Sequence, residues 1–158
     1  PDDDVVVGGG CGATSVVAAR AAPEGSVTVL ATTGDRARRC RAAHDLNGTN
    51  GTVSVDHAIV GPPGKVRGPT DGATVVTAAD LPTCDVLVLD CEGCETTLVW
   101  ALEQVPRVVT VAVHGQHGGD RPLIETVLLD RGYAVDRRDD IGPHPEHVVL
   151  VGVQESTR

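Results

Sequence analysis

At 158 residues the chain is long enough for one domain with one core, burying roughly 68–70% of the surface its unfolded form would expose. Its 22 acidic and 13 basic side chains give a formal charge of -9, which makes nucleic acid a poor partner. No apolar run approaches membrane-spanning length.

Lys65 is the only lysine beside twelve arginines, Asp outnumbers Glu 15 to 7, and Phe and Met are absent. This composition resembles a salt-adapted, halophile-like proteome, where carboxylates keep proteins hydrated and small apolar residues moderate a strengthened hydrophobic effect. GC-rich codon bias accounts for the Ala, Val, Gly and Arg but not for the acid excess. Five cysteines without a signal-like leader are read as those of a reduced, cytoplasmic protein. Cys91 and Cys94 have half the spacing of a zinc site or a redox pair, but no second half completes it, so two buried thiols are expected. An assembly as a homodimer stays open.

The first element is the apolar run of "DVVVGGGCGATSVVAAR", a buried strand that breaks into glycines and then a helix over Ala13 to Ala22. A strand, a glycine turn and a helix N-terminus form a cradle for a nucleotide-like ligand, because backbone approaches closely there. Short β-branched strands follow at Ser26 to Ala31, Gly51 to Val60, Cys84 to Asp90 and Arg107 to Gly115. Helical patterns separate several of them, at Asp35 to Leu46 with an Asn47-Gly48 stop and at Glu92 to Gln104. A helix over Pro122 to Arg131 then leads to strands at Tyr133 to Asp136 and His147 to Val153. The alternation predicts an α/β doubly wound, Rossmann-like sheet of seven strands, mostly parallel and closed by a C-terminal antiparallel hairpin. That layout is the one class I methyltransferases use.

Within it, "ATVVTAADLPTCDVLVLDCEGCETTL" resembles the FkbM family of S-adenosylmethionine-dependent methyltransferases. The family's Asp-x-Glu-Gly-x-Glu motif is matched by Asp90, Glu92, Gly93 and Glu95. "DHAIVG" and "LLDRGYAV" fit its third strand and its penultimate helix and strand. Three positions depart from the pattern: Val6 and Ala31 stand where relatives carry acids, and Val88 where they commonly carry lysine.

The resemblance implies S-adenosylmethionine as cofactor, held by Gly8, Gly10 and Gly12 with Ala31, Asp56 and His57, and methylation of a small-molecule or glycan hydroxyl. Strand C-terminal ends gather those residues with Asp90 and His114 along one edge of such a sheet. Asp90 and His114 are the catalytic candidates, since an oxygen nucleophile must lose a proton. Glu92, Glu95 and His117 are expected to bind the acceptor, although acids also serve simply to start a helix. His114, His117, Asp90 and Asp120 could alternatively hold a divalent ion; the preferred reading has no metal. His144 and His147 are expected to face solvent. Two other functions compete: a non-catalytic binding module with a decayed cofactor site, and an NAD(P) protein whose Gly8-x-Gly10-x-x-Ala13 turn is followed by Arg36, Arg38 and Arg39.

Overall fold

The computed structural model describes residues 2–49, 51–61, 72–138 and 147–154. In chain order the elements are β1 (Asp3–Val7), α1 (Ala13–Ala21), β2 (Ser26–Ala31), α2 (Gly34–Asn47), β3 (Val53–Val60), β4 (Thr74–Val76), β5 (Val86–Leu89), α3 (Glu95–Ala101), β6 (Val108–His114), α4 (Arg121–Asp130), β7 (Tyr133–Arg138) and β8 (His147–Gln154). Single 3-10 turns at Ala78–Asp80 and Gly115–His117 lie between them.

The strands form one sheet in the order β4-β3-β2-β1-β5-β6-β8-β7. All pairs are parallel except β6 with β8 and β7 with β8, which are antiparallel. The seven expected strands and the terminal hairpin are present. An eighth, β4, pairs with β3 at the edge; its three residues are too short to stand out as a strand in the sequence.

Valine and leucine dominate because helices cover both faces of the parallel strands. One apolar cluster, including Leu87, Leu89, Val111, Leu98 and Ile124, packs α3 and α4 on one face of the sheet. A smaller one of Val6, Ala19, Val27, Val29 and Cys40 packs α1 and α2 on the other. Thr33 caps α2 by accepting from the Arg36 amide, and Gly48 closes it in the left-handed conformation. Between α1 and α2, buried Ser15 donates to the Gly12 carbonyl and lies 2.9 Å from His44 Nε2, while Thr49 Oγ1 is 2.7 Å from His44 Nδ1.

Three sequence expectations change. Helix α3 runs over Glu95–Ala101, not from Glu92 to Gln104, because Glu92 (φ 53) and Gly93 (φ 125) make a left-handed turn before it. Cys91 and Cys94 are joined in a disulfide across that turn, with Cα atoms 5.8 Å apart, and are not two thiols. β3 ends at Val60, where its apolar run ends, so Asp56 and His57 lie inside the strand and not at its C-terminal end as expected. The Pro- and Gly-rich loop between Gly61 and Gly72, with Lys65, and His144 fall outside the described residues. Among the described residues no helix is long and apolar enough to cross a membrane.

Candidate active site

The chain order of the strands reverses at β1, with β2 on one side and β5 on the other. The crevice beyond the C-terminal ends of strands at such a switch point is where open α/β sheets take ligands. The glycine turn is pinned there: the Gly8 amide donates to the Leu30 carbonyl and the Asp90 amide to the Val7 carbonyl, both at 2.9 Å. A Cβ on Gly8 would fall 1.9 Å from the Asp90 carbonyl oxygen, so only glycine lets β5 pass. Gly12 admits α2, since its Cβ would meet Ala43 and Cys40 at 3.1 Å. Gly10 differs, for a Cβ there would meet nothing nearer than the Gly8 carbonyl oxygen at 3.9 Å. Its φ of 51 still calls for glycine or asparagine, and its open side faces free space.

Ala31, at the end of β2, is fully buried. His57 pairs level with it, and its Nε2 is buried without a hydrogen-bond partner. Asp56 pairs with Leu30 and so points to the opposite face, where it is exposed. Arg36, on the first turn of α2, donates to Thr32 Oγ1 at 3.2 Å and pairs with Glu92 Oε1 at 3.3 Å. This ion pair bridges from β2 to β5 past the end of β1. Arg38 and Arg39 are both paired with Asp35, at 2.7 and 2.8 Å, so the three arginines the dinucleotide reading relied on are engaged by carboxylates.

Beyond β5 the acidic turn meets the end of β6. His114 Nδ1 is 2.7 Å from Glu95 Oε1, and Glu95 Oε2 accepts from the Gly93 amide at 2.8 Å. Glu95 is fully buried, so its carboxylate is out of an acceptor's reach. His114 Nε2 lies 3.5 Å from Asp90 Oδ1, and Asp90 is half-exposed. The Glu95 hydrogen bond holds the His114 pKa above its ordinary value, against the opposing effect of burial. Burial pushes the Asp90 carboxyl up, with Glu92 and Glu95 adding to it and His114 opposing.

His147, expected to face solvent, instead stacks on His114 with ring centroids 4.4 Å apart. The antiparallel register sets the two histidines opposite one another, one ending β6 and the other opening β8. His117 stands 6.1 Å from His114 between ring centroids, on the 3-10 turn that follows. His147 is thus the site residue that reading the sequence element by element missed. Among the described residues no group of three or more His, Cys, Asp or Glu side chains is arranged to hold a metal ion.

No family model matches this chain, and no curated protein does. Solved structures do. A precorrin-6y C5,15-methyltransferase from Geobacter metallireducens aligns with 98% of this chain and 80% of its own at 15% identity and a TM-score of 0.63. An O-methyltransferase from Bacillus cereus in complex with SAH aligns over 97% and 74% at 12% identity and a TM-score of 0.62. For a SAM-dependent O-methyltransferase from Thermotoga maritima the shares are 99% and 60%, at 14% identity and a TM-score of 0.64. At such identities the likeness speaks for architecture, and with the sheet order and terminal hairpin above it shows that this chain has the Rossmann-like class I methyltransferase fold.

Proposed function

We propose that the chain is an S-adenosylmethionine-dependent O-methyltransferase of FkbM type, a single domain acting on a hydroxyl of a small molecule or glycan. The observation that carries this reading is that the glycine turn abuts Asp90 through Gly8, and Asp90 in turn stands 3.5 Å from His114, along the ligand-binding edge of a methyltransferase fold. The residues fit the cofactor in one specific respect: Gly8 and Gly12 are demanded by packing, whereas Gly10, held at a φ of 51, leaves open space beside the turn for a ligand.

The turn Gly8 to Gly12 would hold the methionine end and ribose through backbone groups, with Ala31 and His57 bordering it and the Thr32 hydroxyl beside the place of the missing acid of β2. When bound, S-adenosylmethionine supplies a methyl group made electrophilic by a sulfonium. His114 Nε2 accepts the proton of the acceptor hydroxyl, and the Asp90 carboxylate at the same atom stabilises the imidazolium. Glu92 and His117 border the acceptor side. The acid excess suits work in concentrated salt.

The test is methyl transfer from labelled cofactor to a panel of hydroxyl compounds in high salt. Asp90→Asn lowers turnover at least tenfold and leaves cofactor affinity unchanged; equal loss of both would contradict a role toward the acceptor. The second reading, a non-catalytic module, draws on the fully buried Ala31 and on the Arg36–Glu92 ion pair lying across the end of β1. In that case the cofactor does not bind.

A further inference from the structure

We propose that Glu95 is a positioning residue for His114, fixing the imidazole as its Nδ1–H tautomer so that the bare Nε2 and the Asp90 carboxylate face one acceptor hydroxyl. The role assigned to His114 rests on the methyltransferase reading above; the tautomer does not.

Glu95 is fully buried at the first residue of α3, which excludes contact with an acceptor. An ionised carboxylate only accepts hydrogen bonds. With one oxygen taking the Gly93 amide and the other 2.7 Å from His114 Nδ1, the proton between Glu95 and His114 belongs to the ring. Neutral His114 then carries its lone pair on Nε2. That atom is 3.5 Å from Asp90 Oδ1, too far for a strong direct bond and close enough for a hydroxyl to touch both. The arrangement parallels the way a buried aspartate holds a catalytic histidine in the right tautomer and stabilises the imidazolium in serine hydrolases.

The ionisable neighbours of His114 come from four segments. Glu95 is on α3, Asp90 and Glu92 are on the turn after β5, His147 stacks from β8, and His117 stands on the 3-10 turn. The three acids favour its charged form, Glu95 most.

Glu95→Gln discriminates because it keeps shape and removes the double acceptor. The Gly93 amide needs an oxygen, so the glutamine NH2 turns toward His114 Nδ1 and drives the ring to Nε2–H, which blocks the base. The experiment is an NMR titration of 15N-histidine-labelled protein. Expected in the unsubstituted protein are 15N shifts of an Nδ1–H ring and a midpoint above 6.5 for His114. In Glu95→Gln the tautomer switches and the midpoint falls. An Nε2–H ring in the unsubstituted protein, or an unchanged tautomer and midpoint in the variant, overturns the proposal. The first of these needs no variant, so misfolding of Glu95→Gln leaves the test intact. Calorimetry with S-adenosylmethionine on the same samples separates the two claims: absence of binding removes the methyltransferase reading, while the tautomer answers for Glu95 alone.

Discussion

Asp90 Oδ1 and His114 Nε2 stand 3.5 Å apart across the ends of two neighbouring parallel strands, one acid and one base presented to the same point. Replacing His114 by alanine should flatten the acidic limb of the rate profile on any hydroxyl acceptor. In the intact protein that limb centres above pH 6.5, because Glu95 raises the folded-state pKa. The same shift is a stability statement. Charged His114 stabilises the fold fully below about pH 6.5, and the increment is lost as pH rises through the folded value. Thermal melts of the intact protein and His114→Gln from pH 5 to 9 should therefore converge as pH rises.

The opposite sign is expected at His44. Burial lowers its pKa from 6.5, so the neutral form is the one the fold holds. Ser15 donates to the Gly12 carbonyl, which leaves its oxygen to accept from His44 Nε2, and Thr49 serves Nδ1. Stability from this site is present above pH about 6.5 and declines as pH falls below it. Ser15→Ala leaves the His44 donor without a partner and should cost about 1–3 kcal/mol in denaturant unfolding at pH 8.

The glycine turn separates packing from binding. Gly8→Ala drives a Cβ into the Asp90 carbonyl at φ 92 and should cost roughly 2 kcal/mol or more of stability. Gly10→Asn tolerates the left-handed backbone and meets open space, so its melting temperature should stay within a few degrees of the parent. Its affinity for S-adenosylmethionine should fall at least tenfold; an unchanged affinity would make the turn purely structural.

Thiol chemistry reads the turn after β5. With Cys91 and Cys94 bonded, thiol titration in denaturant should find Cys11, Cys40 and Cys84, and two more groups after reduction. In the native protein only Cys11 should react quickly, since Cys40 and Cys84 are buried and burial pushes the Cys84 thiol up to about 11. Replacing Cys91 and Cys94 by serine removes a ring of four residues and should cost about 2 kcal/mol by chain entropy. Five thiols without reductant would show that the bond is absent.

Most of the architecture was legible because buried parallel strands write themselves as short β-branched runs, and glycines mark where they stop. β4 was not, for Thr74–Val76 is short and half-exposed at the sheet edge. The beginning of α3 was misread because Glu92 and Glu95 look like a helical first turn, and only a left-handed Glu92 and Gly93 separate them. At the site, Asp90 and His114 could be named from strand ends alone. His147 could have been found by pairing "RVVTVAVH" against "HVVLVGVQ" in antiparallel register, which sets the two histidines opposite each other. The burial of Glu95 had no local signal, since a carboxylate one turn into the chain after a strand is as often solvated as enclosed.

The most direct test is calorimetry in concentrated salt, with S-adenosylmethionine, its demethylated product and NADPH as separate titrants. The account predicts saturable binding of the first two at one site per chain, weakened by Gly10→Asn, and no heat from NADPH. Absence of S-adenosylmethionine binding at millimolar concentration would contradict it, and would leave a methyltransferase fold serving as a non-catalytic module.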